Sequence, residues 1–260
     1  MSSTSRSFRL ALCQMRVLGG RKDANLDRAA GLVATAAQRG AQVVVLPETM
    51  TLGWTHSSAA TAADAVPDGQ ACRFLRDLAQ RHGVFLCSGL VERAGDKIFN
   101  AALLIDPRGD IILHHRKINE LDIAHHVYAL GDRLGVAPTP FGKIGVMICA
   151  DAFARGQVIS RALGMMGAQI ILSPCAWAVP ADHDNHKEPY GQLWLDNYQP
   201  VARDFQLWIA GVSNVGWIDD GPWKGRPCIG CSLVIGPDGR EMARGPYGAD
   251  AETVLYAEIN

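Results

Sequence analysis

Residues 8–46 alternate between two hydrophobic periods, and this constrains the chain more than anything else in it. Residues 8–15 form an apolar run that reads as a buried strand. Residues 25–39 carry Leu26, Ala29, Ala30, Val33 and Ala36 on one face at helical spacing, and Gly40 ends that pattern. Residues 42–46 are a short β-branched run that again reads as a buried strand. Strand, helix and strand in so short a stretch make a βαβ unit with two parallel strands.

The alternation continues to the C-terminus. Helices are expected at about 69–82, 153–166 and 190–205. Strands are expected at 84–91, 99–105, 110–116, 133–137, 143–149, 169–173, 207–213, 229–236 and 253–258. The turns Pro107-Arg108-Gly109-Asp110 and Gly236-Pro237-Asp238-Gly239 join neighbouring strands as hairpins, so the sheets are mixed. The expected class is α/β with helix-covered sheets. No repeat, linker or low-complexity stretch divides the 260 residues, so one domain over 1–260 is the simplest organisation.

Composition excludes several roles. The net charge of −1, with Lys and Arg scattered, offers no footprint for nucleic acid or an anionic membrane. No apolar run reaches the roughly 20 residues of a membrane helix. Leu10 to Cys13 is too short for a signal-peptide core. Seven cysteines, an odd number, argue against a disulfide framework and for a reducing, cytoplasmic setting.

Three strand ends carry unusual residues. In Val45-Leu46-Pro47-Glu48-Thr49 a carboxylate stands where a buried strand stops, the end at which open α/β sheets bind ligands. In His114-His115-Arg116-Lys117-Ile118-Asn119-Glu120-Leu121 basic residues cluster at another strand end; alone, this also fits a solvated loop. In Gly145-Val146-Met147-Ile148-Cys149-Ala150-Asp151 a strand runs into a cysteine and a helix is expected at once, with Asp151 or a neighbour capping it. A thiol there meets the positive helix end and the following N–H groups, which favours thiolate and can stabilise an oxyanion. A buried structural cysteine is the plainer alternative.

In that order, a strand-end Glu, a strand-end Lys and an elbow Cys resemble the Glu-Lys-Cys triad of the nitrilase, or carbon–nitrogen hydrolase, superfamily. The resemblance spans nearly the whole chain. It takes in Leu10 to Met15, Leu46-Pro47-Glu48 with Gly53-Trp54, Arg116-Lys117 with Gly131-Asp132, and Gly145 to Asp151. It continues through Ser173 to Trp177, Ala202-Arg203 with Ser213 to Gly216, and Gly230-Cys231-Ser232 with Gly236 to Gly239. It implies a four-layer α-β-β-α sandwich and a homodimer or larger homo-oligomer. It also implies a small-molecule amide, N-carbamoyl compound or nitrile as substrate, with no metal and no organic cofactor. Cys149 is then the nucleophile and Glu48 the base. Lys117 and the backbone N–H of Ala150 stabilise the oxyanion.

Two departures stand out. Many members of the family carry a second glutamate at the place matching Ala124, where this chain reads Ala124-His125-His126. Glu120 either supplies that carboxylate from a shifted position or is a loop ion-pair residue. After the nucleophile, Cys149-Ala150-Asp151-Ala152-Phe153-Ala154-Arg155 departs from the family's usual continuation, which implies a different pocket beside the thiol. Candidate substrate contacts are Trp54, His126 and Trp177. Residues 181–188, with two His and two Asp, fit a polar recognition loop, a solvated loop or a metal site. Cys228 and Cys231 have Cys-x-x-Cys spacing but no second ligand pair. Two further readings are a weakly catalytic binding or regulatory protein on the same fold, and an acyltransferase in which an amine replaces water.

Overall fold

The structure, a computed structural model, describes residues 7–260. The first six residues of the expected 1–260 domain lie outside the described residues. In chain order the elements are β1 (Phe8–Gln14), α1 (Lys22–Gln38), β2 (Val43–Val45), α2 (Ala59–Ala62), α3 (Gln70–His82), β3 (Phe85–Ala94), β4 (Lys97–Ile105) and β5 (Ile111–Arg116). There follow β6 (Val136–Thr139), β7 (Gly142–Val146), α4 (Val158–Met165), β8 (Ile170–Cys175), α5 (Gln192–Phe205) and β9 (Trp208–Ser213). The chain closes with β10 (Val215–Trp217), β11 (Pro227–Ile229), β12 (Leu233–Ile235), β13 (Glu241–Arg244) and β14 (Thr253–Ile259).

Two six-stranded sheets result, ordered β14-β1-β2-β3-β4-β5 and β13-β12-β9-β8-β7-β6, with β10 and β11 as a separate ribbon. Each sheet has three parallel strands, β1-β2-β3 in one and β7-β8-β9 in the other, flanked by antiparallel strands. Parallel central strands are buried on both faces, which is why they read as unbroken apolar runs.

The sheets pack face to face. Leu10, Leu12, Val43 and Val45 of the first meet Ile144, Val146, Ile170 and Leu172 of the second in one buried cluster. The outer face of the first sheet is covered by α1 and α3 through Leu26, Val33, Leu75 and Leu78. The outer face of the second is covered by α4 and α5 through Leu163, Trp194, Tyr198 and Val201. This is the four-layer α-β-β-α sandwich, a single α/β domain with mixed sheets. Each fully buried Leu or Val contributes about 1.5–3 kcal/mol against exposure.

Three expectations need correction. The segment at 153–166 is not one helix. Two short 3-10 turns, Cys149–Phe153 and Arg155–Gln157, precede α4, because Gly156 and Gln157 take left-handed backbone angles (φ 71° and 52°). The turn at 236–239 does not join the 229–236 strand to the 253–258 strand. It leads into β13, a half-exposed edge strand without apolar alternation, while β14 crosses to the other sheet and pairs with β1. The expected strand at 229–236 is split: β11 (Pro227–Ile229) pairs with β10 in a separate ribbon that was not expected, and only β12 (Leu233–Ile235) joins the second sheet.

Candidate active site

Glu48, Lys117 and Cys149 lie at three strand ends on the same edge of the sandwich, and all three line one cavity. Glu48 follows β2 by three residues, Cys149 follows β7 by three, and Lys117 directly follows β5. The Glu48 backbone N–H donates to the Cys175 carbonyl at 3.2 Å, which ties the end of β2 to β8 of the opposite sheet. The backbone here is crowded. A Cβ on Gly89 of β3 would lie 2.6 Å from the Glu48 Cα and 2.5 Å from the Pro47 carbonyl, so only glycine fits. A Cβ on Gly131 would come within 2.0 Å of the Arg116 carbonyl, and the Gly131 N–H donates to the Lys117 carbonyl at 2.8 Å.

The charged groups are almost fully buried. Lys117 Nζ donates to Glu48 Oε1 and to Glu120 Oε1, each at 2.8 Å, and is 2% exposed. Asn100 Nδ2 bridges the same two carboxylates, donating to Glu48 Oε1 at 2.6 Å and to Glu120 Oε2 at 2.9 Å. Glu120 also accepts from the Leu121 N–H at 3.0 Å. It does not line the cavity but stands behind Lys117. Burial raises the Glu48 carboxyl above its ordinary pKa and Glu120 adds to the rise, against the pull of Lys117 and Asn100. Burial would lower the Lys117 ammonium, but the two carboxylates outweigh it and hold the group firmly cationic.

Cys149 sits at φ 45°, a left-handed conformation that a non-glycine residue adopts at a cost of about 1–3 kcal/mol. Burial pushes its thiol well above the ordinary value, and Glu48 adds to the rise while Lys117 opposes it. The expected thiolate-favouring helix end is absent, because only a five-residue 3-10 turn, Cys149–Phe153, begins at the cysteine. A protonated thiol beside a carboxylate of raised pKa suits proton transfer during attack better than a resting ion pair.

Asp151, expected only as a helix cap, is a buried junction between the cysteine turn and the lysine loop. Its Oδ1 accepts from the N–H groups of Ile118 at 3.1 Å and Asn119 at 2.8 Å. Its Oδ2 accepts from the Ile148 N–H at 2.9 Å and from His115 Nε2 at 2.8 Å. Asn119 Nδ2 donates to the Ala150 carbonyl at 2.6 Å, a second link between the two segments. Burial works against the Asp151 carboxylate, but His115 and these backbone donors prevail and lower its pKa.

The cavity and its mouth enclose about 590 Å³. Trp54, Trp177 and Ala150 are among its lining residues, as are Phe153, Tyr190, Leu193, Trp194 and Trp223. Trp177 stacks on Trp194 with ring centroids 4.5 Å apart and planes 23° apart, and Trp54 meets Trp223 at 4.8 Å. His126 is exposed and does not line the cavity: the short 3-10 turn Asp122–Ala124 buries Ala124 and leaves His126 facing solvent. None of residues 181–188 lines it either. Asn185 of that loop borders a separate depression with Arg244 and Tyr247. Among the described residues no three His, Cys, Asp or Glu side chains gather as a metal site. Cys228 and Cys231 are buried and free, as small core residues.

Sequence reasoning missed Asn100, Gly89 and the junction role of Asp151. Asn100 had a signal, since it is the lone polar residue inside the apolar run of β4.

Comparison with known proteins identifies the family and the fold. The carbon-nitrogen hydrolase family model matches residues 9–260. A nitrilase from Pyrococcus abyssi is 34% identical, covering 92% of this chain and 84% of its own length. The omega-amidase NIT2-A of Xenopus laevis is 29% identical over 97% of this chain and 88% of its own. Among solved structures, Saccharomyces cerevisiae Nit3, a nitrilase-superfamily member, superposes with a TM-score of 0.82 at 23% identity, covering 99% of this chain and 92% of its own. An amidase from Nesterenkonia sp. superposes at 0.81 with 22% identity, covering 97% and 90%.

Proposed function

This chain belongs to the carbon–nitrogen hydrolase family, and from that premise we propose that it cleaves the C–N bond of a small-molecule amide through a thioester on Cys149. The observation that carries the reading is the convergence of Glu48, Lys117 and Cys149 on one cavity, with Lys117 fixed at 2.8 Å from Glu48.

Glu48 takes the Cys149 proton as sulfur attacks the carbonyl carbon, then delivers it to the departing nitrogen, which leaves as ammonia or an amine. Lys117 spends two of its three N–H bonds on Glu48 and Glu120, and the third faces the developing oxyanion together with the Ala150 N–H. Water, deprotonated by Glu48, attacks the thioester and frees the acid and the thiol. Asn100 and Glu120 act as positioning residues: they hold Glu48 and Lys117 without touching substrate.

Amides come first because the relatives include omega-amidases and the apolar cavity offers room for an acyl group. A nitrile would enter the same thioester after one hydration. Seven free thiols fit a reducing cytoplasm, and the exposed apolar residues Met165 (81%) and Val158 (57%) on α4 fit a homodimer contact, which light scattering would test.

The test is ammonia release from a panel of amides, nitriles and N-carbamoyl amino acids by the wild type. Release from amides above the other two classes is expected. Release from nitriles or carbamoyl compounds alone would reassign the substrate class.

A further inference from the structure

We infer that the cavity selects an uncharged, apolar acyl group, so that the substrates are amides of hydrophobic or arylalkyl acids and not amides bearing a second, free carboxylate. The inference rests on the amide-hydrolase reading of the same site.

Six aromatic side chains line the cavity, and they include four of the chain's six tryptophans. Leu121, Leu193 and three alanines supply most of the remainder. The charged residues in the lining are Glu48 and Lys117. Lys117 already faces two carboxylates at 2.8 Å, so the cluster of Glu48, Glu120 and Lys117 has a formal charge of −1 before substrate arrives. A carboxylate on the substrate would be the third anion around one ammonium. It would also be desolvated among aromatic rings with no cation of its own. The remaining side-chain donors of the lining, the Tyr190 hydroxyl and the indole N–H groups, are neutral and suit a neutral oxygen. Arg226 lies over the Trp223 ring at 4.6 Å but outside the lining. Leu193, on α5, is 52% exposed and extends the apolar surface toward solvent. An apolar acyl chain meets this surface with a gain for each methylene it buries.

The experiment compares ammonia release from propanamide, hexanamide, phenylacetamide, succinamate and glutaramate, with calorimetric binding of the same compounds to Cys149→Ala. The expected kcat/KM rises about fourfold per buried methylene from propanamide to hexanamide. Hexanamide and phenylacetamide should exceed glutaramate by about a hundredfold or more. Leu193→Lys should narrow that gap from the carboxylate side. Equal or better turnover of glutaramate or succinamate overturns the inference. Loss of that turnover in Arg226→Gln would then show where the carboxylate docks. If the wild type hydrolyses nothing on the panel, the amide-hydrolase reading fails, and binding to Cys149→Ala still decides this one. Tighter binding of hexanamide than of glutaramate upholds it. Equal or tighter glutaramate, or no binding of hexanamide, overturns it.

Discussion

Around Cys149 two regions meet that are stabilised in different ways. In the charged cluster, Lys117, Glu48, Glu120 and Asn100 hold one another through four hydrogen bonds of 2.6–2.9 Å, and removing any member strands another polar group away from water. In the aromatic lining, Trp177, Trp194, Trp54 and Trp223 are held by ring contacts, with few polar groups to strand. The cluster therefore loses stability when a hydrogen-bonding group is removed from it, whereas the lining can be reshaped at modest cost. In the proposed mechanism the first region carries the reaction and the second receives the acyl group.

The comparison is broken most severely at Lys117. Lys117→Met leaves Glu48 and Glu120 as facing buried carboxylates. It should cost about 3–5 kcal/mol in urea unfolding and at least 10²–10³-fold in kcat through the lost oxyanion donor. Adding Glu120→Gln should return part of the stability and none of the activity. If Lys117→Met alone unfolds like the wild type, the cluster is not the coupled unit described here. Next in size is Glu48→Gln, which keeps the Lys117 contact through its amide oxygen but removes the base. Turnover should fall about 10²–10⁴-fold with little change in unfolding midpoint.

Asp151→Asn tests the junction between the lysine loop and the Cys149 turn. Because the Asp151 pKa is lowered in the folded protein, its contribution is present above the ordinary aspartate range and fades as pH falls through the folded value. The variant should lose about 2–3 kcal/mol at neutral pH, and the difference should shrink in acid. A constant difference across pH would mean that packing, not charge, carries the effect.

A smaller effect separates the two carboxylates. With Glu48 as the proposed base, its raised pKa should make kcat/KM fall on the acid side through a pKa above that of an ordinary glutamate. Glu120→Gln removes one cause of that rise and should move the acid limb to lower pH. An unmoved limb would leave Glu120 as a structural ion-pair residue. The mildest change belongs to the lining: Trp223→Phe keeps an aromatic face at a half-buried position and should alter KM across a series of acyl groups while leaving kcat near that of the wild type.

The same contrast explains what could be read from the sequence. Glu48, Lys117 and Cys149 were legible because each stands at the end of a buried apolar strand, where local pattern marks the position and type of residue together. Glu120 was legible as a carboxylate near Lys117, but its role stayed open between two readings, since its contact with Asn100 comes from β4. Trp54 and Trp177 were found beside motif ends, whereas Tyr190, Leu193 and Trp194 arrive from α5 and its lead-in, and helical periodicity does not distinguish core from cavity. His126 failed because one short turn rotated it outward. The strand pairing of β14 with β1 joins residues nearly the whole chain apart, and no local signal records that.

The proposed nucleophile, Cys149, is tested by ammonia release from an amide that the wild type hydrolyses, repeated with Cys149→Ala of matched melting temperature. The variant should release none above the uncatalysed rate while still binding the amide. Ammonia release by a clean, folded Cys149→Ala preparation would contradict that role.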